Sequence, residues 1–176
     1  MSHPEQMFFV SSLKNKFPNN FINSNVLEIG SLDINGTIRV YFENCKYIGV
    51  DVGYGKCVDL IEEGQKLNFD SNSFDTVASC ECFEHNIFWA ETFLNMYRMT
   101  KENGLLFFTC ATTGRAEHGT KRTSPQNAPL LKWDFYKNLT ELDFRKIFNF
   151  EKMFNNFEFF VNEISKDLYF YGIKNH

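Results

Sequence analysis

A chain of 176 residues with 43% hydrophobic content carries enough apolar material for one core and not for two. A formal net charge of −4 and a pI near 5.6 argue against a general nucleic-acid binder, which needs a basic face. Five cysteines, an odd number with no leader-like stretch ahead of them, read as reduced thiols in a cytoplasmic protein, and the longest strongly apolar run, Leu105 to Phe108, is far too short to cross a membrane.

In chain order, Ser2-His3-Pro4-Glu5 reads as a capping box with Ser2 as N-cap, opening a helix that carries Met7, Phe8, Val10, Leu13 and Phe17 on roughly one face. Pro18-Asn19-Asn20 stops it, so residues 1–24 form a covering helix and connection within a single domain spanning 1–176. The first strand is Asn25 to Ile29, whose unbroken apolar run suits burial on both faces. Glu28 interrupts it; a buried carboxylate needs partners, either structural neighbours or a ligand. A tight polar turn from Gly30 to Gly36 follows, with Asn35-Gly36 leading into a short helix ending near Phe42 whose exposed N–H groups favour polar ligand atoms.

The second strand, Lys46 to Val50, ends at Asp51, 21 residues after Gly30. A third, Cys57-Val58-Asp59-Leu60, follows the Gly53-Tyr54-Gly55 loop. Acids thus stand near the ends of successive strands, and in an open parallel sheet those ends line one crevice. The turn after the first strand and the acid after the second read as a nucleotide cradle, with the acid placed to hold a ribose.

Beyond the polar turn Asn68 to Ser73, the fourth strand is Phe74 to Cys80, running into Glu81-Cys82-Phe83-Glu84-His85. A helix from about Asn86 to Thr100 closes at Lys101-Glu102-Asn103-Gly104, and Leu105 to Cys110 is the fifth strand; repeated strand-helix-strand passages imply parallel neighbours. Ala111 to Pro129 is the longest aperiodic segment, a lid or binding loop over the same crevice. It holds His118 and Glu117 as candidate general bases, and Arg115, Lys121 and Arg122, which point to an anionic acceptor. His85 and Tyr136 join Arg115 as candidate substrate contacts. A helix from Thr140 to Phe148 and an antiparallel hairpin, Phe157 to Ile164 with Leu168 to Ile173, complete the chain.

Cys80-x-Cys82-x-x-His85 lacks a fourth ligand at motif spacing, so its cysteines read as packing and no metal is expected. A nicotinamide enzyme should show G-x-G-x-x-G to admit a pyrophosphate, and the chain has none.

Val26-Leu27-Glu28-Ile29-Gly30, Asp51, Asp59-Leu60, Ser73-Phe74-Asp75 through Glu84-His85, and Asn103-Gly104-Leu105-Leu106 together resemble the class I S-adenosylmethionine-dependent methyltransferases, from about Val26 to the end. The resemblance implies an α/β three-layer Rossmann-like sandwich with a seven-stranded sheet in the order 3-2-1-4-5-7-6, strand seven antiparallel. It implies a methyl transfer from S-adenosyl-L-methionine to a small-molecule acceptor, such as an anionic sugar, with a non-catalytic cofactor-binding scaffold as the alternative. The Gly30 to Gly36 turn, with Gly30, Ser31, Asp33 and Gly36, would pass under the methionine part, Asp51 would take the ribose hydroxyls, Asp59 and Leu60 would bracket the adenine, and Cys80 and Glu81 would line the sulfonium side, with Glu28 and Val52 as further cofactor contacts. The family usually has further glycines just after the position of Gly30; here Leu32 and Ile34 stand there, a longer variant of the turn with Asp33 and Asn35 doing the glycines' work.

Overall fold

The computed structural model describes residues 3–176, so the Ser2 cap lies outside the described residues. Helix α1 (Pro4–Lys16) starts instead from His3 at the N-cap position, extended at φ −144°, with its Nδ1 3.0 Å from the Glu5 carboxylate. The expected sheet forms. Its strands are β1 (Asn25–Ile29), β2 (Lys46–Asp51), β3 (Leu60–Ile61), β4 (Phe74–Cys80), β5 (Thr100–Ala111), β6 (Phe154–Asn162) and β7 (Asp167–Lys174). They lie in the order β3-β2-β1-β4-β5-β7-β6, with β7 antiparallel to both neighbours and the other pairs parallel.

Neighbouring strand residues point to opposite faces, and the core divides accordingly. Phe107, Tyr169 and Ala78 face α1, packing with Phe9, Val10 and Leu13. Phe108, Phe170 and Val77 face the other layer, built on α2 (Trp89–Met99), α3 (Glu141–Arg145) and α4 (Phe150–Met153). The many phenylalanines go into this second layer: Phe108 stacks on Phe144 and Phe170 at 4.6 and 5.2 Å, and Phe93 meets Phe144 edge-on at 5.6 Å.

Four elements differ from expectation. The helix after Gly36 is one 3-10 turn, Ile38–Tyr41, capped by the Thr37 hydroxyl. β3 is two residues, later than the expected Cys57 to Leu60, because Cys57 turns to φ +67° and only Leu60 and Ile61 reach register with Val50 and Asp51. The helix after β4 begins at Trp89, preceded by a 3-10 turn Phe83–His85, and Asn103 rather than Gly104 takes the left-handed turn position, φ +59°. The Thr140 helix is broken: α3 keeps a Thr140–Asp143 capping box but ends at Arg145, and α4 restarts on an Asn149 cap. Among the described residues no helix is long and apolar enough to cross a membrane.

Candidate active site

Strand order reverses between β1 and β4, and a crevice opens at the carboxyl ends of these strands and β2, where such sheets take ligands. It holds about 1000 Å³ including its mouth. Its floor is the turn after β1. The Gly30 and Ser31 N–H groups both donate to the Val50 carbonyl, at 2.8 and 3.1 Å, tying the turn to β2. Gly30 has φ +82°, and a Cβ there would stand 2.7 Å from Cβ of Cys82, so only glycine fits. Leu32 and Ile34 are not in the left-handed region, so their places do not require glycine; Asp33 holds the longer turn by accepting the Gly36 N–H at 2.8 Å and pairing with Lys56 at 2.5 Å. That use turns Asp33 away from the crevice wall, whereas Ser31, Leu32, Ile34 and Gly36 line it.

Asp51 closes the β2 side with Val52 beside it. Its two carboxylate oxygens accept one backbone N–H each, from Leu32 at 3.1 Å and Val52 at 2.8 Å, which leaves unused lone pairs. Burial raises its pKa, partly countered by those two donors. Glu28 also lines the crevice; burial pushes it up to about 7 against the Tyr47 hydroxyl, which donates at 2.7 Å.

The acid beyond β3 is not the expected one. Asp59 does not line the crevice: its carboxylate accepts the Gly49 N–H at 2.7 Å and an Arg39 N–H at 2.6 Å, and Leu60 is a partly exposed strand residue. In their place stand Glu62, Glu63 and Gly64. Lys132 and Lys66 hold the Glu63 carboxyl down at about 2. Lys132 belongs to the crevice cover, residues 127–133: its first three are the end of the expected lid loop, and 130–133 extend it beyond what sequence reasoning gave. Leu130 packs on Gly53, Lys132 pairs with Glu63 and Trp133 meets Phe88 edge-on at 5.4 Å, so this cover is pinned at three points. The signal available was the apolar Leu130-Leu131 and Trp133 at the end of an otherwise polar loop.

The β4 side carries the charge. Glu81 has φ +52°, a strained left-handed conformation for a non-glycine residue. It is buried and lines the crevice with Cys80, Cys82 and His85. Burial opposes its charge, but His3 and the Thr109 hydroxyl, at 2.8 Å, hold it ionised. Burial lifts both thiols, Cys82 to about 12. Gln6 of α1 lines the same wall, and its Oε1 and one oxygen of Glu81 are buried without a partner.

The expected bases and substrate contacts fall differently. His118 sits behind His85, their rings 5.2 Å apart and nearly perpendicular, with Tyr136 against both at 5.1 and 5.5 Å. Only His85 of the three lines the crevice. Burial lowers both histidines, His85 to about 4, so both are neutral at neutral pH. Glu117 is turned outward, taken by Arg122 and the Thr120 hydroxyl at 2.7 Å each. Arg115 is bound to the Ser165 carbonyl and to Asp167, so two of the loop's three expected anion-binding cations are internally paired.

A family model described as Methyltransferase domain matches residues 37–108. Solved structures with the same architecture include the CurJ carbon methyltransferase, with 16% identity over 95% of this chain and 52% of that one, TM-score 0.64. The fold is that of the class I S-adenosylmethionine-dependent methyltransferases. Burkholderia thailandensis 1,6-didemethyltoxoflavin-N1-methyltransferase, solved with 1,6-didemethyltoxoflavin and S-adenosylhomocysteine, shares this methyltransferase fold at TM-score 0.66, with 12% identity over 97% of this chain and 78% of that one. So does Haemonchus contortus phosphoethanolamine N-methyltransferase 2, solved with phosphomonomethylethanolamine and S-adenosylhomocysteine, at TM-score 0.68, with 15% identity over 98% of this chain and 53% of that one. The chain therefore spans about half the length of the CurJ and Haemonchus methyltransferases. No curated protein matches the sequence.

Proposed function

We propose that the chain is an S-adenosylmethionine-dependent methyltransferase whose cofactor lies in the crevice between β1 and β4. The observation that carries this is the crevice wall: a glycine-only turn under one end, Asp51 with spare acceptor capacity in the middle, and an acid-glycine pair, Glu63-Gly64, at the other. The cofactor fits the charge of the site. Its ammonium and sulfonium groups are cationic, and Gln6 Oε1 and the free oxygen of Glu81 are buried acceptors without partners on that wall. Asp51 and Val52 would hold the ribose; Glu62, Glu63 and Gly64, in place of Asp59 and Leu60, would take the adenine; the Gly30 to Gly36 turn would run under the methionine part.

When bound, the cofactor supplies a methyl group on a positively charged sulfur. The chain's part is alignment and dryness: the 127–133 cover shuts the crevice, and Cys80, Cys82 and Glu81 shape the wall where the methyl group is offered. Crevice-lining His85 is the imidazole placed to face the acceptor, and His118 supports it from behind. A small-molecule acceptor suits the covered site. Of the 111–129 loop's cations, Lys121 alone forms no ion pair among the described residues, so an anionic sugar draws less support from that loop than its sequence suggests. Calorimetry with S-adenosylhomocysteine tests the cofactor site, and a radiolabelled methyl-transfer screen over small hydroxyl and amine acceptors tests the activity. No binding at millimolar ligand refutes the assignment. Binding with no transfer to any acceptor favours the scaffold alternative.

A further inference from the structure

We propose that Glu84, His85 and His118 form a binding site for a divalent first-row transition-metal ion at the edge of the crevice. Glu84 and His85 are adjacent on the 3-10 turn after β4, and His118 reaches them from the loop after β5. One ligand atom from each lies within 4.8 Å of the others. Around a tetrahedral ion with bonds of about 2.1 Å, ligand atoms stand about 3.4 Å apart, so modest side-chain rotation closes the set.

The unmet bonding of these groups sets them apart from ordinary packing. Glu84 is completely buried, and neither of its carboxylate oxygens has a hydrogen-bond partner. A carboxylate buried this way is costly as a charge, so it holds a proton until a cation meets it. Among the described residues no lysine or arginine pairs with it. Nδ1 of His85 is likewise buried without a partner. His118 has Nδ1 3.1 Å from the Ala116 carbonyl, which leaves Nε2 its lone pair. His118 thus has one nitrogen held by a backbone carbonyl and the other free, the arrangement of a metal-binding histidine, and His85 offers an unpartnered Nδ1 beside it. The loop is shaped for the meeting: Gly119 has φ +62°, and a Cβ there would lie 2.7 Å from Cε1 of His85.

Two imidazoles and one carboxylate suit zinc, cobalt, manganese or iron better than calcium or magnesium, which prefer all-oxygen sets. Three protein ligands leave a coordination position open, as in catalytic sites. Because His85 also lines the crevice, that position would face the acceptor and orient one of its oxygens. This role, unlike the site itself, rests on the methyltransferase reading. The cysteines of Cys80-x-Cys82-x-x-His85 are not in the set; His85 is the only residue it shares with that motif.

The test needs no cofactor. Chelator-stripped protein is titrated with Co2+, followed by visible absorption, and with Zn2+ by competition calorimetry. One ion per chain is expected, with a cobalt spectrum showing nitrogen and oxygen ligation and no thiolate charge-transfer band. His118→Ala and Glu84→Gln should each weaken binding at least about 10-fold, the scale for losing even a group that merely supports a ligand. The exposed His176→Ala should change nothing. If Glu84→Gln fails to fold, His85→Asn replaces it beside the loop variant His118→Ala. Absence of binding at millimolar metal overturns the site. So does binding that His118→Ala and the second variant leave unchanged, or that Cys82→Ser alone abolishes. S-adenosylhomocysteine calorimetry on the stripped protein stands apart: its failure would remove the acceptor role and leave the metal site intact.

Discussion

Gly30→Ala should be among the most damaging single substitutions in the molecule. Two separate costs arise at one atom. The backbone is held at φ +82°, where an L-residue is strained by about 1–2 kcal/mol. The new methyl would lie 2.7 Å from Cβ and 3.0 Å from Sγ of Cys82, an overpacking that costs about 1–3 kcal/mol. The sum, about 2–5 kcal/mol, is a large share of the ~5–15 kcal/mol that holds a domain folded. At a urea slope of about 2 kcal/mol/M, the unfolding midpoint should fall by about 1–2.5 M. A double-mutant cycle divides the two costs. Cys82→Gly removes the clashing Cβ but not the strained φ, so the double variant should recover about 1–3 kcal/mol relative to the sum of the singles. Cofactor binding supplies a second readout, because the turn cannot relax without moving Ser31 and Leu32, both crevice residues. A Gly30→Ala protein with its urea midpoint unchanged, or a cycle with no coupling to Cys82, would refute the argument.

Asp51→Ala should weaken S-adenosylhomocysteine binding by about 10–100-fold, the scale of losing charged hydrogen bonds, as read by calorimetry; wild-type affinity would remove its ribose role. Lys132→Ala breaks a half-exposed pair with Glu63, so unfolding should shift by less than about 1 kcal/mol while the ligand dissociates faster in stopped-flow. Phe144→Ala, in the centre of the aromatic layer, should cost about 3–5 kcal/mol in urea denaturation. Burial opposes charge on His3, but Asp167 and Glu81 outweigh it and raise its pKa from 6.5 to about 10. A raised pKa contributes stability that is complete below the unfolded value, so stability should fall as pH rises from 6.5 towards 10, and His3→Asn should flatten that slope.

The fold was legible where apolar runs were long and sharply bounded. β4 was readable at both ends because seven residues of mixed β-formers sit between a polar turn and an acid. β3 was not, because two residues carry no pattern; its position depends on Cys57 turning left-handed, which nothing in its type announces. The same displacement explains why Asp59 stands off the crevice. Asp59 was the first carboxylate in the run, but a carboxylate next to Arg39 and a free backbone N–H is consumed by them, and Glu63 inherits the crevice. Asp51 lines the crevice because the end of a longer strand fixes where its side chain goes. The cover at Leu130 to Trp133 and the wall residue Gln6 were missed for a common reason. They reach the crevice from segments whose own local pattern is silent about where the chain will return.

The N-terminal helix is more than a cover. Three carboxylates, Glu81, Glu84 and Asp167, are buried near one another, and the first and last both raise the pKa of Glu84. Three like charges cannot all persist in a low-dielectric region without counter-charge. His3 provides one. Its Nε2 stands 2.9 Å from Asp167 and 3.9 Å from Glu81, its Nδ1 stands 3.0 Å from Glu5 on the first turn of α1, and the Arg115 guanidinium meets Asp167 from the other side at 3.5 Å. The helix therefore begins where a cation is needed, and Pro4 sets its direction from that point. With Glu81 and Asp167 matched, burial and the neighbouring Glu81 charge both act on Glu84 and raise its pKa. Glu84 is the one acid of the three with no counter-charge from the chain, and it is the one that stands beside two imidazoles. The chain thus neutralises Glu81 and Asp167 by pairing and Glu84 by burial, which keeps its proton on; the proposed ion would bind by displacing that proton.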